Sequence, residues 1–387
     1  MKCNRRVRKS GYRVRSVRRV VWSTVGMLLG TAGLRAENSL DRMAELESRV
    51  EQLEGTAQGG IPEGLSLGGY GELHYNRLRG EGGASDVDRL DFHRFVLFVG
   101  YEFSPRIRLN SELELEHTLV GDDKPGYLQL EQAYLDFDLS DRHLVRAGIF
   151  ILPVGFLNRN HEPTRFYGVE RNRVENRILP TTWFEGGVGL AGSPTPGWCY
   201  EAYLHSGLKT SADSSYAIRA GRQKIAEADA SRPAATAAVA WSIPGLRIGA
   251  SLHHQSDLTQ GTDPDAGEAW LGEAHLEWRR GPFALRALVA EWRLDGVGPE
   301  ALGADRQYGW FMEVAYRPIE KMGVFARYST WDEQAGASDI ASEAIQWDAG
   351  VNWWVHKQVV VKADAQWQDP KNGKKQNGYN LGLGYEF

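Results

Sequence analysis

From residue 65 to the end of the chain, apolar and polar residues alternate with a period of two. Tyr379, Leu381, Leu383, Tyr385 and Phe387 alternate with Asn380, Gly382, Gly384 and Glu386. Val359, Val361, Ala363, Ala365 and Trp367 stand against Lys362, Asp364, Gln366 and Gln368, and Ile107, Leu109, Leu113 and Leu115 against Arg106, Arg108, Glu112, Glu114 and Glu116. Period two is the β-strand repeat, and segments of about ten residues with one apolar face and one charged face suit strands that cross a membrane. Sixteen such segments can be marked between residues 65 and 387.

The connections between them sort by length. Every second one is tight, as at Ser104-Pro105, Ser140-Asp141, Pro244-Gly245, Gly281-Pro282 and His356-Lys357. The alternate ones are long and polar, as at 119–125, 151–182, 207–232 and 258–267. Strict short–long alternation predicts antiparallel up-and-down strands with all tight turns on one side, the layout of outer-membrane barrels. A soluble sandwich has no reason to segregate its loops, nor to expose an apolar face on nearly every strand. The expected fold is all-β: a 16-stranded antiparallel transmembrane β-barrel over residues 65–387. Tyr75, Tyr101, Trp183, Trp198, Trp241, Trp278, Trp292, Trp310, Trp331, Trp353 and Trp367 fall near strand ends and suit interfacial girdles.

Residues 1–36 have a different composition. They hold ten Lys/Arg and no Asp/Glu, nine of the ten between Lys2 and Arg19, ahead of an apolar stretch from Val20 to Leu34. This reads as a signal peptide. Its removal leaves 35 basic against 50 acidic residues, a net charge of −15, which argues against a nucleic-acid partner. Two cysteines exclude a disulfide scaffold. Residues 37–54 place Met43, Leu46, Val50 and Leu53 at 3-4-3 spacing without Gly or Pro, as in a coiled-coil helix of about two heptads. So short a coil is stable only between chains already held together. Residues 55–64, with Gly55, Gly64 and Pro62, read as a linker.

A barrel of sixteen strands leaves a wet lumen, so selectivity depends on what narrows it. The candidate plug is 151–182, which carries Arg159, Arg165, Arg171, Arg173 and Arg177 with His161, against Glu162, Glu170 and Glu175. Prolines 153, 163 and 180 suggest an ordered path. No G-x-S-x-G or H-E-x-x-H motif occurs, His253-His254 points its rings to opposite strand faces, and Pro163 breaks His161-Glu162 from any helical metal motif. The sequence therefore points to no enzyme, no cofactor and no metal.

Leu152-Pro153-Val154-Gly155, Asn158, His161-Glu162-Pro163, Val169-Glu170-Arg171 and Ile178-Leu179-Pro180-Thr181-Thr182-Trp183 together resemble the phosphate-selective porin O and P family, in its coiled-coil-bearing branch. Ile218-Arg219 with Gly221-Arg222-Gln223-Lys224 is similar to that branch as well. The resemblance implies an outer-membrane homotrimer, each barrel with its third external loop folded inward. It also implies that Phe387 is read by the barrel-assembly machinery. The implied activity is passive diffusion of small hydrophilic solutes with preference for anions, phosphate among them. Guanidinium groups are permanently charged and match phosphate oxygens in a bidentate fork.

By alternation Arg94, Arg106, Arg108 and Arg146 are the wall candidates, although β-periodicity leaves the direction of Arg94 open. Arg219, Arg222 and Lys224 are expected near the outer mouth. The same walls carry Glu112, Glu114, Glu116, Glu273, Glu277, Glu313, Asp348 and Asp364. That mixture of signs keeps two alternatives open: an unselective polar-solute pore, and an adhesive barrel anchored by its coiled coil.

Overall fold

The computed structural model describes residues 62–387; the leader, the coiled coil and nearly all of the linker lie outside the described residues. The first four strands are β1 (Leu65–Glu81), β2 (Val87–Ser104), β3 (Ile107–Glu116) and β4 (Tyr127–Asp138). Next come β5 (His143–Ile151), β6 (Phe184–Gly192), β7 (Trp198–His205) and β8 (Ala234–Ile243). They are followed by β9 (Leu246–Gln255), β10 (Ala269–Arg280), β11 (Phe283–Leu294) and β12 (Arg306–Ile319). The last four are β13 (Met322–Asp332), β14 (Ala344–His356), β15 (Val359–Pro370) and β16 (Lys375–Glu386). The number and antiparallel order of the sixteen strands are those read from the periodicity and the alternation of loop lengths.

Neighbours in sequence are neighbours in the sheet, and β1 pairs antiparallel with β16 from Tyr70↔Glu386 to Glu81↔Lys375, closing the barrel. Closure leaves no strand edge, so every ladder group finds a partner in a medium where an unpaired peptide costs several kcal/mol. The tight turns need unusual backbone. Gly245, between β8 and β9, sits at φ +80°, where a Cβ would also lie 2.5 Å from the Arg279 carbonyl oxygen.

The odd–even code puts opposite chemistries on the two faces. Leu204, Leu252, Val289, Met312, Trp347 and Leu381 are exposed outward. Glu72, His74, Asn76, Glu114, Glu273, Arg327 and Asp364 are buried in the interior. This inversion of a soluble core follows from lipid on one side and water on the other. Trp198, Trp353 and Trp367 are about half exposed, as a girdle requires. Trp183 and Trp292 are not in a girdle: both are fully buried, with ring centroids 6.0 Å apart. Position along a strand did not reveal that their side chains face the interior, where an apolar patch awaits them.

Candidate functional site

Residues 152–183 link β5 to β6, and a few buried groups set their path. Gly155 turns at φ +64°, and a Cβ there would meet the Glu175 carboxylate at 2.5 Å. That carboxylate accepts hydrogen bonds from the Phe156 and Leu157 amides, both at 2.6 Å, and from Asn172 Nδ2 at 2.8 Å. Asn158 Nδ2 donates to the Leu152 and Trp183 carbonyls, while its Oδ1 accepts from the Trp183 amide at 2.6 Å. The segment thus ties its start to its end, around the single helical turn Val174–Arg177. Leu152, Val154, Phe156 and Leu179 share one apolar cluster with Leu271, Leu288, Trp292 and Phe311 of β10–β12.

The barrel wall holds this connection largely by its peptide groups. Trp354 Nε1 donates to the Thr164 carbonyl at 3.3 Å, Asn352 Nδ2 to Phe166 at 3.0 Å and Lys362 Nζ to Gly168 at 2.7 Å. Asp364 accepts from the Val169 amide at 2.6 Å, and Trp292 Nε1 donates to the Ile178 carbonyl at 2.9 Å. Glu170 reaches β1, where His74 Nδ1 and Asn76 Nδ2 lie 3.1 and 2.9 Å from its Oε1. Burial alone raises that carboxyl, but the His74 charge and these hydrogen bonds hold it well below the usual range.

A cavity opens between this connection, the connection 206–233 and the wall of β1–β4. The two connections contribute Arg171, Arg173, Arg219 and Arg222, and the wall contributes Glu72, Glu114, Glu116 and Glu131 with Arg94 among them. The loop arginines are held by neutral acceptors. Arg171 Nη1 donates to Thr182 Oγ1 at 3.1 Å, and Arg173 Nε to Gln346 Oε1 at 3.4 Å. Arg219 Nη1 donates to the Thr181 carbonyl at 2.6 Å, and Arg222 Nη1 to that of Thr182 at 2.8 Å. Nε and Nη2 of Arg171 are buried and have no hydrogen-bond partner among the described residues. Burial, followed by the charges of Arg222 and Arg171, pushes Arg219 down to about 9, which leaves it charged at neutral pH. Lys224 sits with its ammonium 3.9 Å from the Tyr127 ring centre.

Three of the four arginines expected on the wall, Arg94, Arg108 and Arg146, are paired with carboxylates. Arg94 does face the lumen, with Nε 2.6 Å from Glu72 and Nη1 3.3 Å from Glu114. Arg146 pairs with Asp136 at 2.8 Å, and Arg108 with Asp138. Arg159, although on the loop, pairs with Glu201 at 2.6 Å and so joins the Arg146 group through Tyr203, which both contact. Arg106 lies exposed in the turn between β2 and β3, away from the cavity. Arg177 is half exposed, 3.8 Å from Glu333. Arg165 opens instead onto a second, larger cavity on the tight-turn side, beside Arg279, Arg286, Arg317, Lys321 and Lys357. Arg165 pairs there with Glu386 at 3.1 Å, and periodicity did not group the basic residues because they come from the loop, from β11 and from three tight turns.

The sequence model of the family described as phosphate-selective porin O and P matches residues 67–387. The chain belongs to the phosphate-selective porin O and P family. An uncharacterized protein of Aquifex aeolicus is 30% identical over 357 residues, 84% of this chain and 81% of that one. Among solved structures, Salmonella typhi OmpF superposes with a TM-score of 0.62 at 12% identity, over 84% of this chain and 97% of that one. The outer membrane channel DcaP of Acinetobacter baumannii gives 0.58 at 13% identity, with 84% and 97% covered. An anion-selective porin from Comamonas acidovorans gives 0.57 at 12%, with 84% and 99% covered. As a member of the phosphate-selective porin O and P family the chain is an outer-membrane porin. Its barrel passes small hydrophilic solutes by diffusion, in a family and fold of non-enzymatic channels.

Proposed function

We propose that the connection 152–183 is the third external loop folded inward as the constriction, and that the pore prefers anions, phosphate among them. One observation carries the charge preference. Among the described residues no carboxylate lies within salt-bridge distance of Arg171, Arg173, Arg219 or Arg222, whereas Arg94, Arg108, Arg146, Arg159 and Arg327 each have one. Guanidiniums held by carbonyls and hydroxyls keep their full charge for a passing ion. A ladder of them replaces part of an anion's hydration shell without trapping it at one site. The buried, unpartnered donors of Arg171 favour a ligand that brings oxygen atoms.

The reversal potential in a potassium chloride gradient tests this reading, with conductance in phosphate as the second measurement. Anion selectivity supports it, and an ohmic, unselective response returns the pore to the general class. The chain carries a cleaved leader (1–36), a coiled coil (37–54) and a linker (55–64) ahead of the barrel (65–387), assembled as a homotrimer in outer-membrane lipid. Phe387 is the signal for the barrel-assembly machinery. An SDS-resistant trimer that dissociates on heating supports this assembly, and a monomer in mild detergent overturns it.

A further inference from the structure

Where the loop meets the β3–β4 wall, behind the cavity that Glu131 helps to line, three buried polar atoms converge. They are Nε2 of His161 on the loop, Oε1 of Glu112 on β3 and Oε2 of Glu131 on β4. His161 Nε2 lies at ion-pair distance from both carboxylates, 3.3 Å from Glu112 Oε1 and 3.5 Å from Glu131 Oε2, and among the described residues none of the three atoms has a well-formed hydrogen bond. All three residues are at most 3% exposed. The backbone brings Glu131 into place. Glu112 pairs with Gln132 but Leu113 pairs with Leu130, so Glu131 is the extra residue of a β-bulge and faces inward beside Gln132. Bulges re-aim a side chain in this way next to functional sites.

Each of the three groups is oriented from behind. His161 Nδ1 donates to the Asn158 carbonyl at 3.0 Å, which aims Nε2 at the two carboxylates. Glu112 Oε2 accepts from Gln132 Nε2, and Glu131 Oε1 accepts from Gln129 Nε2 at 3.0 Å. A histidine that spends its other N–H on a carbonyl, beside carboxylates fixed by amides, is the outer-shell pattern of a metal site. Neighbouring ligand atoms on a tetrahedral zinc with bonds of about 2.05 Å stand about 3.3 Å apart, which matches the separations from His161. Two carboxylates and the neutral imidazole that a metal ion requires of its ligand carry a charge of −2, and the nearby Arg94 is already committed to Glu72 and Glu114.

We propose that Glu112, Glu131 and His161 bind a divalent first-row transition-metal cation, with zinc as the reference ion, and that this cation pins the loop to the β3–β4 wall. The imidazole favours such ions over calcium and magnesium, which prefer oxygen alone. The site does not depend on the anion reading, since its ligands are separate from the four loop arginines. Spacing in the sequence hid it because its ligands come from three elements, not one helix.

The test uses the full barrel, stripped with chelator and dialysed, then titrated with Zn²⁺ by calorimetry and with Co²⁺ by visible absorption. The expected result is about one ion per barrel with a tetrahedral Co²⁺ band. Affinity should fall at least about tenfold in His161→Gln and in Glu131→Gln, and by a similar factor in the orienting variant Gln132→Ala. Variants are compared only where heat-modifiable mobility is retained. Absence of a Co²⁺ band in the wild-type barrel overturns the proposal whatever the variants do. So does zinc affinity equal in wild type and His161→Gln, and the cluster is then an imidazolium shared by two carboxylates.

Discussion

The arginines of the barrel wall and those of the two loops above the cavity share a side chain and differ in almost everything else. Arg327 on β13 is 4% exposed and contacts both Glu313 and Asp348, at 3.3 and 3.0 Å. Arg171 is also poorly accessible, but among the described residues its side chain hydrogen-bonds only to a threonine hydroxyl. The wall arginine is a structural cation whose field is cancelled where it stands. The loop arginine keeps its field. Counting arginines on the lumen side therefore says little about selectivity until each one's acceptor is known.

The largest effect separating the two classes is expected from Arg327→Met. It leaves two buried carboxylates uncompensated and should cost about 3–5 kcal/mol of barrel stability. The measurement is the temperature at which heat-modifiable mobility is lost, and a change below 1 kcal/mol would erase the distinction. Asn158→Ala removes the hydrogen bonds that join the two ends of the loop, at about 1–3 kcal/mol locally. Amide exchange should rise across 152–183 while the barrel strands keep their protection. Arg171→Glu with Arg173→Glu is expected to lower the anion-to-cation permeability ratio about tenfold, since a unit charge at 4 Å contributes about 1 kcal/mol even in water. An unchanged reversal potential would remove that loop from the filter. The smallest effect belongs to Arg108→Gln. Its pair with Asp138 is about one-third exposed, so stability should move by less than about 1 kcal/mol and ion preference not at all.

Period two made the barrel legible because lipid outside and water inside enforce it on every strand. Tight turns of Pro, Gly and Asp fixed the alternation of loop lengths, and with it the strand count and topology. The loop was legible as a candidate by its prolines and arginines. Pairing was not. Glu201 is 42 residues from its partner Arg159, and Arg327 meets Tyr167, Glu313 and Asp348 from three different segments. Periodicity also failed where one face of a strand changes character. Trp292 occupies a strand end, as a girdle residue would, yet turns inward to the loop carbonyl of Ile178. The β-bulge at Glu131 left no mark in the sequence, because an inserted residue shifts parity by one within a strand too mixed to show it.

The wall grips the loop at the Thr164, Phe166, Gly168 and Ile178 carbonyls and the Val169 amide, groups that every residue type but proline supplies in full. These five points of attachment do not depend on which side chain the loop residue carries. Substitutions at the arginines between these points leave the peptide groups that the wall holds in place.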